Sequence, residues 1–273
     1  MTTSVTMTAR IDAVIAARAK AKTLRYFAYL GLFVLVLWSI HATIVADTDW
    51  DRIGSFASVM RAVGRFAGID WELVPLLWEP MVETFMMACL GTILGCFISL
   101  PVAWFGALNV TPSKFIIYPL GRFLMTLSRS IHEIVWGLIF VSAVGLGALP
   151  GILALACRSV GFISKITAEA IENIDPKPVE AIRAVGGNNF QVMYYGIVPQ
   201  IMPIVLGTII FEWDINIRRS AIMGLVGAGG LGLTFHRQMV MFNYPGVTTV
   251  ILAILVLIML GELLSHRARK AVI

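Results

Sequence analysis

Two stretches of this 273-residue chain gather side chains that could do chemistry. In the first, Ser128, Arg129, Ser130, His132 and Glu133 stand close together, and His132-Glu133 opens like the metal-binding HExxH pattern. Its fifth position is Trp136, so the second histidine that a helix would bring to the same face is missing. What is left is an acid and a base with two hydroxyls nearby, which keeps open an enzyme working through His132 and Glu133. In the second stretch Glu212, Asp214, Asn216, Arg218 and Arg219 crowd together, and Gly227 to Gly232 follows as GAGGLG. That string is a literal GxGxxG, but a dinucleotide site needs an acidic residue about 20 positions later. No Asp or Glu lies between Asp214 and Glu262, so NAD is excluded.

The elements that carry these groups belong to a membrane. Hydrophobic residues make up 58% and charged residues 14%, with mean hydropathy +0.85, which excludes an ordinary soluble domain. The net charge of +5 forms no single stripe, and much of it flanks apolar runs. That is a topology signal, so lipid is the expected surrounding and no nucleic acid is expected. Cys89, Cys96 and Cys157 lie in apolar stretches without a CxxC pair, as small packing residues do. The histidines at 41, 132, 236 and 266 make no local cluster, so no metal is expected. No GxxxxGK[ST] loop is present for the chain to bind ATP itself.

About six apolar windows have the roughly 20 residues needed to cross hydrocarbon, predicting an all-α bundle that crosses the membrane about six times. The first runs from about Tyr26 to Ala46, after five basic residues and before Asp47, Asp49 and Asp51, which places the N-terminus (1–25) inside. Its long basic approach and Ile44 fit an anchor better than a cleaved signal peptide. Segment 47–80 carries Arg52, Arg61, Arg65, Trp50, Trp71 and Trp78, fitting the outer surface with a short interfacial helix. A core over 81–268 then holds spans at about Met81–Leu108, with a Gly91/Gly95 GxxxG pair, Leu120–Gly145, Ile152–Ile174, Ile201–Trp213 and beyond, and Val247–Leu264. The basic tail, 269–273, returns to the inside.

Between the fourth and fifth spans, 175–200 (DPKPVEAIRAVGGNNFQVMYYGIVPQ) is too polar to cross and has helical periodicity between proline and glycine. Pro176 and Pro178 suit a helix start, Ala181 and Ala184 leave little side chain in the way of a partner, and Gly186-Gly187 permits a sharp exit. Glu180, Ala181, Gly186 and Pro199 fall in the register of the EAA signature (EAA-x3-G-x9-I-x-L-P), with Ile182, Gly196 and Val198 as departures. The loop thus resembles that of permease subunits of ABC importers. Arg129–Trp136, Phe211–Arg218 and Gly224–Gly232 make the region from Met81 to Ala268 similar to the phosphonate (PhnE-type) permeases among them.

That resemblance implies the type I importer permease fold, a homodimer, two separate ATPase subunits that bind ATP and Mg, and an extracytoplasmic binding protein. It makes the loop, with Glu180, Ala181, Arg183, Ala184, Gly186, Gly187 and Pro199, the coupling element to the ATPase. It implies a phosphonate, phosphite or phosphate substrate; a permease for another small solute such as methionine is the nearest alternative. Ionisable groups at bilayer depth are expensive and must face protein, water or one another. Arg129 and Glu133, Glu212 and Asn216, and Asp214 and Arg218 are each spaced i,i+4, so structural pairs are one expectation. The other is an anion path through Arg129, His132, Glu133, Arg158, Glu212, Asn216 and Arg218, because guanidinium forks match tetrahedral oxyanions. Gly227, Gly229, Gly230 and Gly232 suit either an outer gate or a re-entrant turn. Lys165, Glu169 and Glu172 look like a solvated helix end.

Overall fold

The computed structural model describes residues 22–46 and 55–272, and every regular element among them is helical. The expectations for 1–21 and 47–54 lie outside the described residues. Two units are separable, Met1–Val63 and Gly64–Ile273. The first holds α1 (Lys22–Val45), whose 24 residues at about 1.5 Å each give a rod long enough for hydrocarbon. Leu30, Phe33, Leu37 and Trp38 on it are exposed, a surface that requires apolar surroundings. It ends in a wide π turn, His41–Val45. The short α2 (Phe56–Gly64) begins in this unit and carries Phe56, Met60 and Val63 on one face, as an amphipathic surface helix does.

In the second unit α3 (Trp78–Phe105) enters through the 3-10 turn Val74–Leu77. It is followed by α4 (Ile117–Ser130), α5 (Glu133–Val144) and α6 (Ala148–Glu172). A short α7 (Pro176–Ala184) and a π turn, Val192–Ile197, precede α8 (Val198–Met223). Then come α9 (Gly230–Val240) and α10 (Tyr244–Val272). Among the described residues five helices are long and apolar enough to cross a membrane, or six counting α4 and α5 as one bent span.

The α3/α6 crossing is close, and the glycine pair explains it. A Cβ on Gly91 would lie 2.8 Å from Leu155 Cβ, and one on Gly95 2.7 Å from Ser159 Cβ, so neither position has room for a side chain. Beside this seam α8 closes the core, packing Ile217 and Met223 against residues such as Ala88, Met87 and Leu155. A second apolar cluster of Ala103, Met125, Ala168, Ile171, Ile197 and Val205 lies toward the α7 end.

One span expectation needs correction. The Leu120–Gly145 window is not one helix: it breaks at Ile131–His132, where both residues are extended, and α4 and α5 meet at 91°. Neither Gly nor Pro marks the break; His132 makes it possible by capping α5, its Nδ1 accepting from Ile134 N at 3.3 Å. Glu133 then sits in the first turn of α5, where the helix dipole favours it. The fifth span runs beyond Trp213, as expected. It continues as a single 26-residue helix to Met223, because its charged residues find partners inside the bundle.

Candidate functional site

Where α4 crosses α6, the sequence lets the backbones nearly touch. Gly161 N donates to Ser128 Oγ at 2.8 Å, and Ser128 Oγ in turn donates to Cys157 O. A Cβ on Gly161 would fall 2.6 Å from Arg129 Cγ and 2.8 Å from Met125 O. The crossing therefore lays Arg129 against α6. Beside it opens a cleft of about 410 Å³ lined by Arg122, Thr126, Arg129, Arg158 and Lys165. No carboxylate lines it among the described residues.

The four cations are not equivalent. Arg122 Nη2 is 2.7 Å from both carboxylate oxygens of Glu172, which also accepts from Leu108 N at 2.8 Å. Lys165 Nζ stands 3.6 Å from Glu169 in an exposed pair. Arg158 Nε is 3.7 Å from Glu133 Oε2, while its Nη1 is buried without a hydrogen-bond partner among the described residues. Arg129 makes no ion pair or hydrogen bond among them. The expected i,i+4 pairing of Arg129 with Glu133 is thus overturned, because the helix break turns Glu133 toward α6 and α8 instead.

Behind the cleft lies a buried polar knot. Asn216 Nδ2 donates to Thr92 Oγ1 at 2.9 Å and to Ser159 Oγ at 2.8 Å, joining α8 to α3 and α6. Ser159 Oγ donates to Glu212 Oε1 at 2.9 Å, and Glu212 is fully buried. Arg219 Nη1 reaches Glu212 Oε1 at 2.9 Å and Asn216 Oδ1 at 3.3 Å, and its Nε lies 3.4 Å from Glu133 Oε1. Glu212 and Asn216 therefore meet through Ser159 and Arg219. Arg218 pairs with Asp214 at 2.7 Å, as their spacing suggests, and does not line the cleft. His132 is largely exposed, with Nε2 3.8 Å from Glu133 Oε1. Neither neighbouring hydroxyl turns to it: Ser128 Oγ donates to Cys157 O and Ser130 Oγ to Thr126 O.

Sequence reasoning left Arg122, Lys165 and Arg219 without a role. The signal was available for the first two: Arg122, Thr126, Arg129 and Ser130 repeat at i, i+4, i+7 and i+8, one helical face, and Arg158 and Lys165 stand seven apart. Glu172 is not a solvated end but a tie to Arg122 across 50 residues. Glu83 was also missed. Its Oε2 accepts from Gly230 N at 2.8 Å, and Thr84 Oγ1 accepts from Leu231 N at 2.9 Å, so α3 caps α9. The glycine string makes the sharp reversal its residues permit, with φ +91 at Gly227, +84 at Gly229 and +65 at Gly230. At Gly232 a Cβ would lie 2.2 Å from Ala221 O.

The polar loop is built as its punctuation suggests. Asp175 caps α7, accepting from Lys177 N at 3.0 Å, with Pro176 at its first position. Gln200 fastens the loop to α8, its Nε2 donating to Gly196 O at 2.6 Å and its Oε1 accepting from Asp175 N at 2.9 Å. Gly186, at φ +88, ends the helix. Glu180, Ala181, Arg183, Ala184 and Pro199 are exposed, and so are Val185, Phe190, Tyr194 and Tyr195 beside them. Two departures from the EAA pattern face each other. A Cβ on Gly196 would meet Ile182 Cδ1 at 3.2 Å, so the larger side chain stands on α7 and the smaller on the facing turn.

Long apolar helices around a charged interior, with a capped polar helix held outside the crossing segments, define an integral-membrane transport subunit. The chain belongs to the family of binding-protein-dependent transport system inner membrane components, which its residues 91–272 match. It is 40% identical to the phosphite transport system permease protein PtxC of Stutzerimonas stutzeri, over 88% of this chain and 86% of that one. It is 30% identical to the putative phosphite transport system permease protein HtxC of the same organism, over 98% and 95% of the two chains. Among solved structures, an inward-facing form of the MetNI methionine ABC transporter aligns with a TM-score of 0.65. That alignment covers 75% of this chain and 100% of that one at 24% identity, and it shows the shared type I importer permease fold.

Proposed function

We propose that this chain is the membrane-spanning subunit of an ATP-driven importer for a phosphorus oxyanion such as phosphonate, phosphite or phosphate. One observation carries the substrate class: four cations and no carboxylate among the described residues line the cleft between α4 and α6. The phosphite permeases among its relatives support the same chemistry. The path runs by Arg129 and Arg158, with His132, Glu133, Glu212, Asn216 and Arg218 shaping the charge around it. The glycine reversal at Gly227, Gly229, Gly230 and Gly232 closes the outer end.

Two copies of the chain form the pathway, and two ATPase subunits that bind ATP and Mg dock on α7. The exposed Glu180, Ala181, Arg183 and Ala184, with Phe190, Tyr194 and Tyr195, offer those subunits a mixed polar and aromatic surface. Gly186, Gly187 and Pro199 fix the ends of the loop. A binding protein delivers solute on the other side, and ATP-driven closure moves α7 and the spans fastened to it. Residues 1–25 and 269–273 lie in the cytoplasm, 26–46 cross the membrane, 47–80 face outward, and 81–268 form the permease core.

The test is ATPase activity of the lipid-embedded complex, with its binding protein, in methylphosphonate, phosphite, phosphate or methionine. Stimulation by a phosphorus oxyanion is the expected result; stimulation by methionine alone overturns the substrate class. Glu180→Arg reverses a charge on the docking face without touching the bundle. It should abolish ATPase association, read by co-purification, and normal association would defeat the assignment of α7.

A further inference from the structure

We propose that the α4/α6 cleft is a graded holding site for a tetrahedral phosphorus oxyanion within the permease itself, strongest at Arg129 and Arg158 and weaker toward Arg122 and Lys165. The inference rests on the phosphorus-oxyanion reading above and adds where in this chain the solute is held.

Competition for each cation sets the gradient. At one end Arg122 is neutralised by Glu172 at 2.7 Å, and Lys165 by Glu169 at 3.6 Å. An anion arriving there must share both cations with carboxylates already in place. At the other end Arg129 has no anionic partner among the described residues. Arg158 has only a loose one, since Glu133 at 3.7 Å also serves Arg219. The buried Nη1 of Arg158 is left without an acceptor among the described residues, as is Nε of Arg122, so it is the carboxylate on Arg122 and not an orphan nitrogen that separates the two ends. A buried guanidinium nitrogen without an acceptor is costly, and an oxyanion supplies the acceptor.

Two guanidinium forks on facing helices suit a tetrahedral oxyanion better than a spherical ion, because each fork can take two oxygens. About 410 Å³ leaves room for such an anion with part of its water. The donors come from the cations, because Thr126 Oγ1 and Ser130 Oγ spend their protons on Arg122 O and Thr126 O at 2.8 Å. Passage requires binding tight enough to enter and loose enough to leave. The carboxylates of Glu172 and Glu169 at the α7 end of α6 supply the loosening.

The same chemistry is offered by a lipid phosphate, so the experiment separates the two sources. The complete importer is placed in nanodiscs of phosphatidylcholine alone or with phosphatidylglycerol. Binding of labelled phosphite and inorganic phosphate is then measured without nucleotide or binding protein. The expected result is saturable binding in phosphatidylcholine alone, reduced about tenfold or more by Arg129→Ala and only partly restored by Arg129→Lys, which returns the charge without the fork. Because Arg129 makes no ion pair or hydrogen bond among the described residues and only its stem packs on Gly161, Arg129→Ala should melt close to the parent protein. Equal binding by R129A overturns the proposal, and so does binding of phosphatidylglycerol with none of either solute. If a phosphorus oxyanion stimulates the parent ATPase while R129A binds and transports it normally, only the holding site falls. If no phosphorus oxyanion stimulates the parent ATPase, the functional reading falls first.

Discussion

The knot around Glu212 and the cleft beside Arg129 are built from the same residue types a few ångströms apart, and they do different work. In the knot each charge has an opposite partner: Arg219 meets Glu212 at 2.9 Å and Glu133 at 3.4 Å, and Asn216 and Ser159 add hydrogen bonds, leaving Glu212 Oε2 as its one buried atom without a partner among the described residues. In the cleft positive charge exceeds negative, and one guanidinium has no partner among the described residues. Satisfied groups deep in a bundle specify which helices pack together. Unsatisfied ones facing a cavity are available to a ligand. Arginines at membrane depth are therefore distinguished by their partners rather than by their depth.

The sharpest way to break this contrast is to unbalance the knot. Glu212→Ala leaves Arg219 without its closest acceptor and Ser159 without its own, in a site with no exposure. Removing one partner of a buried pair costs about 3–5 kcal/mol. The variant should lose its monodisperse gel-filtration peak or melt far below the parent. Glu212→Gln retains an acceptor for Ser159 and should lose less. A Glu212→Ala protein that melts normally yet fails to transport would move Glu212 from the knot to the path.

Gly161→Ala is the next step down, because it disturbs the cleft through geometry alone. The added methyl would sit 2.8 Å from Met125 O and 2.6 Å from Arg129 Cγ, so α4 must lift away from α6. Overpacking of this kind costs about 1–3 kcal/mol. The expected outcome is a folded importer with a modestly lower melting temperature and a disproportionate fall in uptake, since the shift carries Arg129 with it. Equal, small losses in both would mean that the position of Arg129 is unimportant.

Much of the architecture was legible in local pattern. The helical spans show in apolar runs, the Gly91/Gly95 seam in a four-residue spacing, the Asp214–Arg218 pair in its i,i+4 separation, and α7 in its proline and glycine punctuation. What escaped is long-range or silent. The break at Ile131–His132 has no Gly or Pro to announce it, and it redirects Glu133 from Arg129 to Arg158 and Arg219. Arg219 stands beside Arg218 in the sequence, and only the face of α8 decides that one joins the knot while the other pairs outside it. Arg122 and Glu172 are 50 residues apart, and no periodicity relates them.

The smallest effect tests the gradient within the cleft. Lys165 and Glu169 form an exposed i,i+4 pair with 43% and 48% of their side chains open and 3.6 Å between the charges. Pairs of this kind contribute about 0–1 kcal/mol, so Lys165→Ala should leave the melting temperature nearly unchanged. Its charge is already half spent on Glu169, so uptake should fall far less than in Arg129→Ala. Lys165→Glu puts a third carboxylate, beside Glu169 and Glu172, where the anion must leave and should slow uptake more than alanine does, without unfolding the chain. Salt should narrow the difference between the two Lys165 variants, because exposed charges are screened within about 10 Å at 0.1 M. If Lys165→Ala proves as damaging as Arg129→Ala, the four cations act as a single bowl. The carboxylates of Glu172 and Glu169 would then have no part in release.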